Sequence, residues 1–133
     1  MAESNQSKYT PHEGGCLSIP YNDIPHLFVI LNDPCDEGNC LLVMVSSIKE
    51  NRKHDDTCTL IIGDHPYINK PSFLLYRMAE CVSSRHISNM VTKKYYEVKE
   101  DISDLVLERI IEGLFESDDT KGKIIKYAQD NGI

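Results

Sequence analysis

An aspartate and a histidine lie side by side in the middle of a segment that has apolar runs on both sides. Asp64 and His65 stand between the apolar runs 58–62 and 73–76. Runs bounded by Gly and Pro indicate strands that meet at a turn. Two titratable groups on such a turn would be preorganised for proton transfer. In the alternative interpretation, Asp64 accepts hydrogen bonds from turn amides and His65 packs against Tyr67.

A charged loop precedes this segment and carries a second kind of chemistry. Residues 49–56 have the sequence KENRKHDD. Lys49, Arg52 and Lys53 predict a mobile loop that contacts the phosphate groups of a nucleic acid. The alternative is a solvated surface loop with no ligand.

The cysteines suggest neither a disulfide framework nor a metal site. Five cysteines, at positions 16, 35, 40, 58 and 81, are an odd number in a chain with no export signal, which indicates reduced thiols. Cys35 and Cys40 have a tolerable spacing for zinc, but no second close pair of ligands accompanies them. Buried cysteines that act as small apolar residues are the simpler interpretation. We therefore predict no metal and no other cofactor.

The net charge of −7 argues against a protein that coats nucleic acid through its overall charge. Its distribution matters more than its sum. Residues 97–119 contain nine acidic and two basic residues and account for the whole excess, so the remaining 12 acidic and 12 basic residues balance. Outside that segment the surface need not repel a phosphate backbone.

The sequence predicts a cytoplasmic protein without a membrane span. No apolar run is long enough to cross a bilayer. The first residues lack the basic and then apolar order of a signal peptide. The 133 residues suffice for one domain with its own core.

Continuous apolar runs locate the central strands. Residues 26–31 and 40–47 each form such a run, which is typical of strands covered on both faces. Because their connection is short, the two strands should pair antiparallel. Residues 16–20 predict a short edge strand that ends at Pro20, and residues 1–15 predict a flexible N-terminal arm.

The last third of the chain changes to a helical pattern. From Asp101 the apolar residues recur at three-to-four spacing, which predicts a helix capped by Asp101 or Ser103. Ser117 and the two aspartates after it predict the cap of a second, shorter helix that stops near Gly132.

These elements together predict an α+β fold. We expect a small antiparallel β-barrel followed by a C-terminal helical hairpin at about residues 101–131, with the helices on one side of the sheet. Residues 16–133 would form a single domain. The strands lie too close together in the sequence for crossover helices, which disfavours a parallel sheet.

The order of the segments resembles a known family. An apolar strand (HLFVIL) precedes Asn-Asp-Pro and a second apolar strand that ends in Ser-Ser. A charged loop, Gly-Asp-His-Pro-Tyr-Ile and Ser-Phe-Leu-Leu-Tyr follow. This order resembles the PemK/MazF-like toxin superfamily, and more closely its divergent PemK-like branch, over residues 24–82. Its most specific part is the Gly-Asp-His-Pro segment followed by Ser72 and Tyr76.

The resemblance implies an SH3-like barrel, usually a homodimer. It also implies a toxin that cuts single-stranded RNA without a metal and is held inactive by a small antitoxin protein. In the better-known members an arginine opens the first apolar strand, and a Thr or Ser closes the next. Here those positions carry His26 and Ser46, with Ser47 beside Ser46. A histidine therefore stands in place of the arginine.

Metal-free cleavage of RNA requires three kinds of group. A base removes the 2′-hydroxyl proton, an acid protonates the leaving 5′-oxygen, and donors stabilise the charged phosphorane between them. His26 is a candidate base or acid, since histidines ordinarily titrate near neutral pH. Ser46, Ser47 and Lys49 are candidate donors to the phosphate.

A second proton-transfer group is also needed. His65, oriented by Asp64, is the candidate if the fold brings it near His26. The competing prediction is a catalytically silent barrel that binds a protein or nucleic-acid partner, in which the acidic helix at residues 101–116 is an interaction face or only a solubilising one.

Overall fold

The computed structural model describes residues 8 to 133 as a six-stranded sheet with three helices. The strands are β1 (Cys16–Tyr21), β2 (Ile24–Ile30), β3 (Asn39–Ser47), β4 (Thr59–Leu60), β5 (Ser72–Ser83) and β6 (Glu97–Lys99). The helices are α1 (Ser84–Thr92), α2 (Asp104–Glu116) and α3 (Gly122–Asp130). None of the helices within residues 8 to 133 has the length and hydrophobicity that a membrane span requires.

The sheet has the order β4-β5-β3-β2-β1-β6, and all neighbouring strands are antiparallel. Phe28 faces Met44 and Ile30 faces Leu42 across β2 and β3, which confirms the predicted antiparallel pair. The sheet curls into a half-barrel. An α+β fold with a curled antiparallel sheet is thus confirmed, whereas closure into an SH3-like barrel and the pairing of α2 with α3 as a hairpin stay predictions.

The sheet is covered on both faces. The main core lies on one face, where Val29 and Val43 pack with Ile110 of α2. A second apolar cluster on the opposite face joins Leu42 of β3 to Ile87 of α1. The two predicted C-terminal helices, α2 and α3, both pack in the main core on one side, and α1, which the sequence analysis did not identify, covers the other side. Burial on both faces explains why β3 is apolar without alternation.

The segment around Asp64 differs from its prediction. The strand predicted at residues 58–62 shrinks to the two residues of β4, and Ile61 and Ile62 are 61% and 68% exposed. The cause is local: the Asp64 carboxylate accepts the Ile61 amide at 2.8 Å, so this amide turns away from the neighbouring strand. The strand predicted at residues 73–76 continues as β5 to Ser83.

The N-terminal residues that the structure describes are packed rather than loose. Residues 1–7 lie outside the described residues, but the Gly14 amide donates to the Ile30 carbonyl at 2.8 Å. The Ile102 amide donates to the Gly14 carbonyl at 2.9 Å. These bonds join the segment both to β2 and to the approach to α2. The flexible arm predicted over residues 1–15 therefore does not extend through residues 8–15.

The sequence predicted an edge strand at residues 16–20, but β1 lies inside the sheet, between β2 and β6. Residues Cys16 to Ser18 pair with β6, and β1 continues past Pro20 to Tyr21. Proline is tolerated there because Pro20 lies beyond the three residues that β6 covers, so no partner is left without a donor.

One predicted helix cap is confirmed and another is wrong. Ser103 caps α2 by accepting the Val106 amide at 3.3 Å. The cap residue of α3 is Lys121, with no side-chain bond, instead of Ser117. Ser117 instead ends α2, where its amide donates to the Gly113 carbonyl, and its hydroxyl donates to Asp55 at 2.5 Å.

Candidate functional site

A cleft of about 650 Å³ opens at the start of β2 and the end of β3. His26 contributes from β2, and Ser46 and Ser47 contribute from β3. Residues 66–70 of the connection between β4 and β5 form the opposite side, which we call the cleft wall. Lys49, two residues past β3, also lines the cleft. The fold thus brings four of the predicted site residues around one space.

His26 presents one ring nitrogen that has no partner among residues 8 to 133. Its Nδ1–H donates to the carbonyl of Ile24 at 2.9 Å. In the neutral imidazole this bond leaves the lone pair on Nε2. The ring is half-buried and lies edge-on to Tyr21, with 6.2 Å between the ring centroids. His26 is therefore held in the tautomer that can accept a proton at Nε2.

The pairing of the central strands leads directly to His26 and Ser46. Phe28 pairs with Met44 in the outermost pair of β2 and β3, and His26 and Ser46, each two residues beyond this pair, both line the cleft. Side chains alternate along a strand, so both residues begin from the face that carries Phe28 and Met44. Ser47 begins from the other face, which carries the main core.

Ser47 has a charged neighbour that Ser46 lacks within the described chain. The Lys49 ammonium donates to the Ser47 hydroxyl oxygen at 2.9 Å. This bond occupies an acceptor site of Ser47 and leaves its own O–H free to donate. Ser47 and Lys49 together form a compact pair of donors at the end of β3.

The cleft is positive although the chain is acidic. Its lining includes Lys49 and Lys70 and contains no carboxylate. A second cleft of about 480 Å³, on the side of the loop at residues 49–56, shows the contrast, because five carboxylates line it: Asp55, Asp56, Glu116, Asp118 and Asp119. Of these two clefts, only the one at His26 is suited to an anion.

Asp64 does not serve the cleft, contrary to its predicted catalytic role. One carboxylate oxygen accepts the Ile61 amide, and the other lies 3.6 Å from the Arg109 guanidinium. Asp64 makes no hydrogen bond to His65. It shapes the turn after β4 and ties this turn to α2, which corresponds to the turn-forming alternative.

His65, the predicted partner of His26 in proton transfer, does not line the cleft. It is 4% exposed and both ring nitrogens are occupied. Nδ1 accepts the Tyr67 amide at 3.0 Å, and Nε2–H donates to the Glu100 carbonyl at 2.5 Å. The structure thus engages both ring nitrogens of His65 with the backbone instead of directing either of them toward His26.

The two other basic residues of the charged loop point elsewhere. Lys53 lines the second cleft, beside His54, whose ring centroid lies 5.2 Å from that of Phe73. Arg52 is exposed and lines neither cleft, and its amide donates to the Lys49 carbonyl. Of the three predicted phosphate ligands, only Lys49 reaches the cleft, because the loop turns away after it.

The structure adds two residues that the sequence analysis missed. Lys70 and Tyr67 lie on the cleft wall. The Tyr67 hydroxyl lies 3.2 Å from that of Ser18, and the Lys99 ammonium lies 5.3 Å from the centre of the Tyr67 ring. Neither residue belongs to a periodic pattern, so only the proximity of the connection to the strand ends could have identified them.

Among residues 8 to 133, no three His, Cys, Asp or Glu side chains come close enough together to hold a metal ion. The two cysteines with zinc-like spacing diverge. Cys40 is fully buried in β3, while the partly exposed Cys35 thiol lies 3.5 Å from the carboxylate of Glu37.

No protein-family model matches the chain, and no curated protein matches it in sequence. A solved structure does match it: one chain of the MazE–MazF complex (form II) from Deinococcus radiodurans, with a TM-score of 0.53. The two chains are 14% identical, and the match covers 81% of this chain and 94% of that one. An identity this low demonstrates the fold and nothing further. The chain has a PemK/MazF-like fold.

Proposed function

We propose that the protein is the toxin of a toxin–antitoxin pair and that it cleaves single-stranded RNA without a metal. The observation that carries the proposal is the cleft itself, where an imidazole with a free nitrogen, a hydroxyl and two ammonium groups meet without any carboxylate. Such a set can bind a phosphodiester and move its proton.

In this proposal His26 is the general base. Its Nε2 takes the proton from the 2′-hydroxyl, and the resulting 2′-oxygen attacks the adjacent phosphorus. As the bond between phosphorus and the 5′-oxygen breaks, a solvent water gives a proton to the leaving 5′-oxygen and recovers one from the His26 imidazolium, so the products are a 2′,3′-cyclic phosphate, a 5′-hydroxyl and the neutral base. The Ile24 carbonyl keeps the imidazole in the tautomer that this step needs and stabilises the imidazolium after it.

Ser47, Lys49 and Lys70 have the complementary role of stabilising charge. The Ser47 O–H donates to a phosphoryl oxygen, and the Lys49 ammonium polarises that hydroxyl through their 2.9 Å bond. Lys70 approaches from the cleft wall on the opposite side. Donors fixed in advance in a partly enclosed site stabilise the phosphorane more than water can. Ser46 stands next to His26 as a second donor.

The proposed partners follow from the fold. The protein that matches this fold was solved as a MazE–MazF complex. By analogy we propose a small antitoxin protein as the inhibitory partner and a homodimer as the active form. The cytoplasm as the place of action stays a prediction.

The decisive experiment is a cleavage assay on single-stranded RNA with excess chelator. We expect products that end in a cyclic phosphate. Removal of a general base typically costs a factor of about 100 to 10,000 in rate, and we expect a loss in this range for His26→Ala. His86→Ala is the matched control, because His86 is an exposed histidine on α1, outside the cleft.

The second candidate function is a silent barrel that binds its partner without cleaving it. The histidine at position 26, in place of the arginine that the family resemblance implies, favours it. Binding of single-stranded RNA without any cleavage, equal in the wild type and in His26→Ala, would establish the second candidate and refute the first.

A further inference from the structure

We propose that His65 is a positioning residue that holds the cleft wall in the conformation that binds RNA. His65 immediately precedes the wall and is buried, although it does not line the cleft. Its ring joins two separate parts of the chain, the Tyr67 amide on the wall and the Glu100 carbonyl between β6 and α2. The RNA part of this inference rests on the proposed function, and the structural part does not.

The two hydrogen bonds define a single protonation state. The Tyr67 amide can donate only to a nitrogen that carries no proton, so Nδ1 is the bare nitrogen. Nε2 therefore carries the proton and donates it to the Glu100 carbonyl. A neutral imidazole in this tautomer satisfies both backbone groups at once, which an aliphatic residue of similar size cannot do.

Hydrogen bonds also fix the rest of the cleft wall, so the loss of the His65 ring bonds should move a defined set of atoms. The Ile68 amide donates to the His65 carbonyl at 2.9 Å. At the far end the Ser72 hydroxyl donates to the Lys70 carbonyl at 2.9 Å. Because the wall is fixed at both ends, Tyr67 and Lys70 have fixed positions relative to the cleft. When the bond at the first end is lost, Tyr67 moves first.

Two conservative substitutions separate the two bonds. The Asn side chain places an acceptor near the position of Nδ1, so His65→Asn keeps a partner for the Tyr67 amide but loses the donor to Glu100. The Gln side chain reaches the position of Nε2, so His65→Gln keeps that donor and loses the acceptor. His65→Ala loses both. Tyr76→Phe is the matched control, because it removes one buried hydrogen bond, to the Ile110 carbonyl, away from the cleft.

The first measurement needs no RNA. In ¹⁵N-labelled protein we expect the His65 ring to give the signature of the Nε2–H tautomer, with a slowly exchanging ring proton. Amide hydrogen exchange at Tyr67 should be slow in the wild type, in His65→Asn and in Tyr76→Phe. It should be faster in His65→Gln and His65→Ala. The opposite tautomer, or an unchanged exchange rate in His65→Ala, would overturn the proposal.

The second measurement is the affinity for a single-stranded RNA whose 2′-hydroxyls are methylated, so that it binds without being cut. The net value of one hydrogen bond corresponds to a factor of about five, and we expect at least this loss for His65→Ala. His65→Asn should recover part of it, and Tyr76→Phe should bind as the wild type does. Equal affinity in all variants would contradict the positioning role. Failure of the wild type to bind any such RNA would refute the proposed function, while the exchange data would still decide whether His65 holds the wall.

Discussion

Gly113 on α2 offers the sharpest test of how the helix is seated on the sheet. A Cβ built at this position would collide with the Tyr76 hydroxyl and would lie 3.1 Å from the Cβ of Cys58. The same hydroxyl donates to the Ile110 carbonyl at 2.7 Å. Gly113→Ala therefore forces α2 away from β5 or displaces the Tyr76 ring, which is 1% exposed and has no free space.

Three contributions decide the size of the effect. Replacing Gly by Ala inside a helix should stabilise the protein by up to about 1 kcal/mol. Overpacking a dense core costs about 1–3 kcal/mol, and losing the Tyr76 hydrogen bond costs about 1 kcal/mol more. The unfavourable contributions prevail, and we expect a net loss of about 2 kcal/mol. For a chain of this length such a loss lowers the melting temperature by roughly 6–10 °C.

Chemical and thermal unfolding of the wild type and four variants checks this reasoning. Gly122→Ala on α3 is the matched control, since a Cβ at that position meets nothing within 4 Å, and it should be neutral or slightly stabilising. Tyr76→Phe removes the atom that collides, so the double variant should be more stable than the two single losses predict. A Gly113→Ala protein that is as stable as the wild type, or more so, would show that α2 is not packed as closely as described here.

Two further predictions concern titratable groups. The bond from His12 to the Thr10 carbonyl, with Asp101 beside it, raises the pKa of His12. The contribution of protonated His12 to the free energy of unfolding should therefore be complete below the ordinary pKa of histidine and should fall as the pH rises through the raised pKa. Both side chains are more than a third exposed, so urea unfolding at pH 6 and 8.5 should differ by only a few tenths of a kcal/mol from this source. Asp101→Asn should reduce the difference without abolishing it, because the bond to the Thr10 carbonyl remains. Burial raises the pKa of Cys16 to about 12 and of Cys40 to about 11. When folded protein is treated with iodoacetamide at pH 8 and analysed by peptide mass spectrometry, Cys16 and Cys40 should therefore remain unmodified, whereas the partly exposed Cys35 should react. Modification of Cys16 before unfolding would contradict the packing of β1.

The sequence predicted the central strands well because their signal is strong. Residues 40–45 are all buried, since β3 has an apolar cluster on each face, and a run without alternation is typical of that position. It failed on α1, where only Ile87 of nine residues is buried. The helix is short and mostly polar, so it has no apolar run of the kind that located the strands, although Ser83 caps it by accepting the His86 amide.

The sequence predicted only part of the site, because it indicates how strands pair but not which distant residues meet. His26 and Ser46 line one cleft because each lies two residues beyond the Phe28–Met44 pair, and the apolar runs predict that antiparallel pairing. The sequence analysis assigned Asp64 and His65 to one catalytic pair only because they are adjacent in the sequence. In the folded chain their partners are 45 and 35 residues away, Arg109 for Asp64 and Glu100 for His65. Sequence adjacency does not determine such tertiary partners.

The acidity of the chain is compatible with a cleft that contains two lysines and no carboxylate, because different elements carry the two. All nine carboxylates of residues 97–119 belong to β6, α2 and their flanks, and none lines the cleft at His26. The cleft takes its charge from Lys49 after β3 and Lys70 on the wall, which precedes β5. Association with an anionic ligand depends on the potential in the cleft more than on the sum over the chain. The salt dependence of RNA binding should therefore follow the two lysines of the cleft, and the net charge of −7 has little bearing on it.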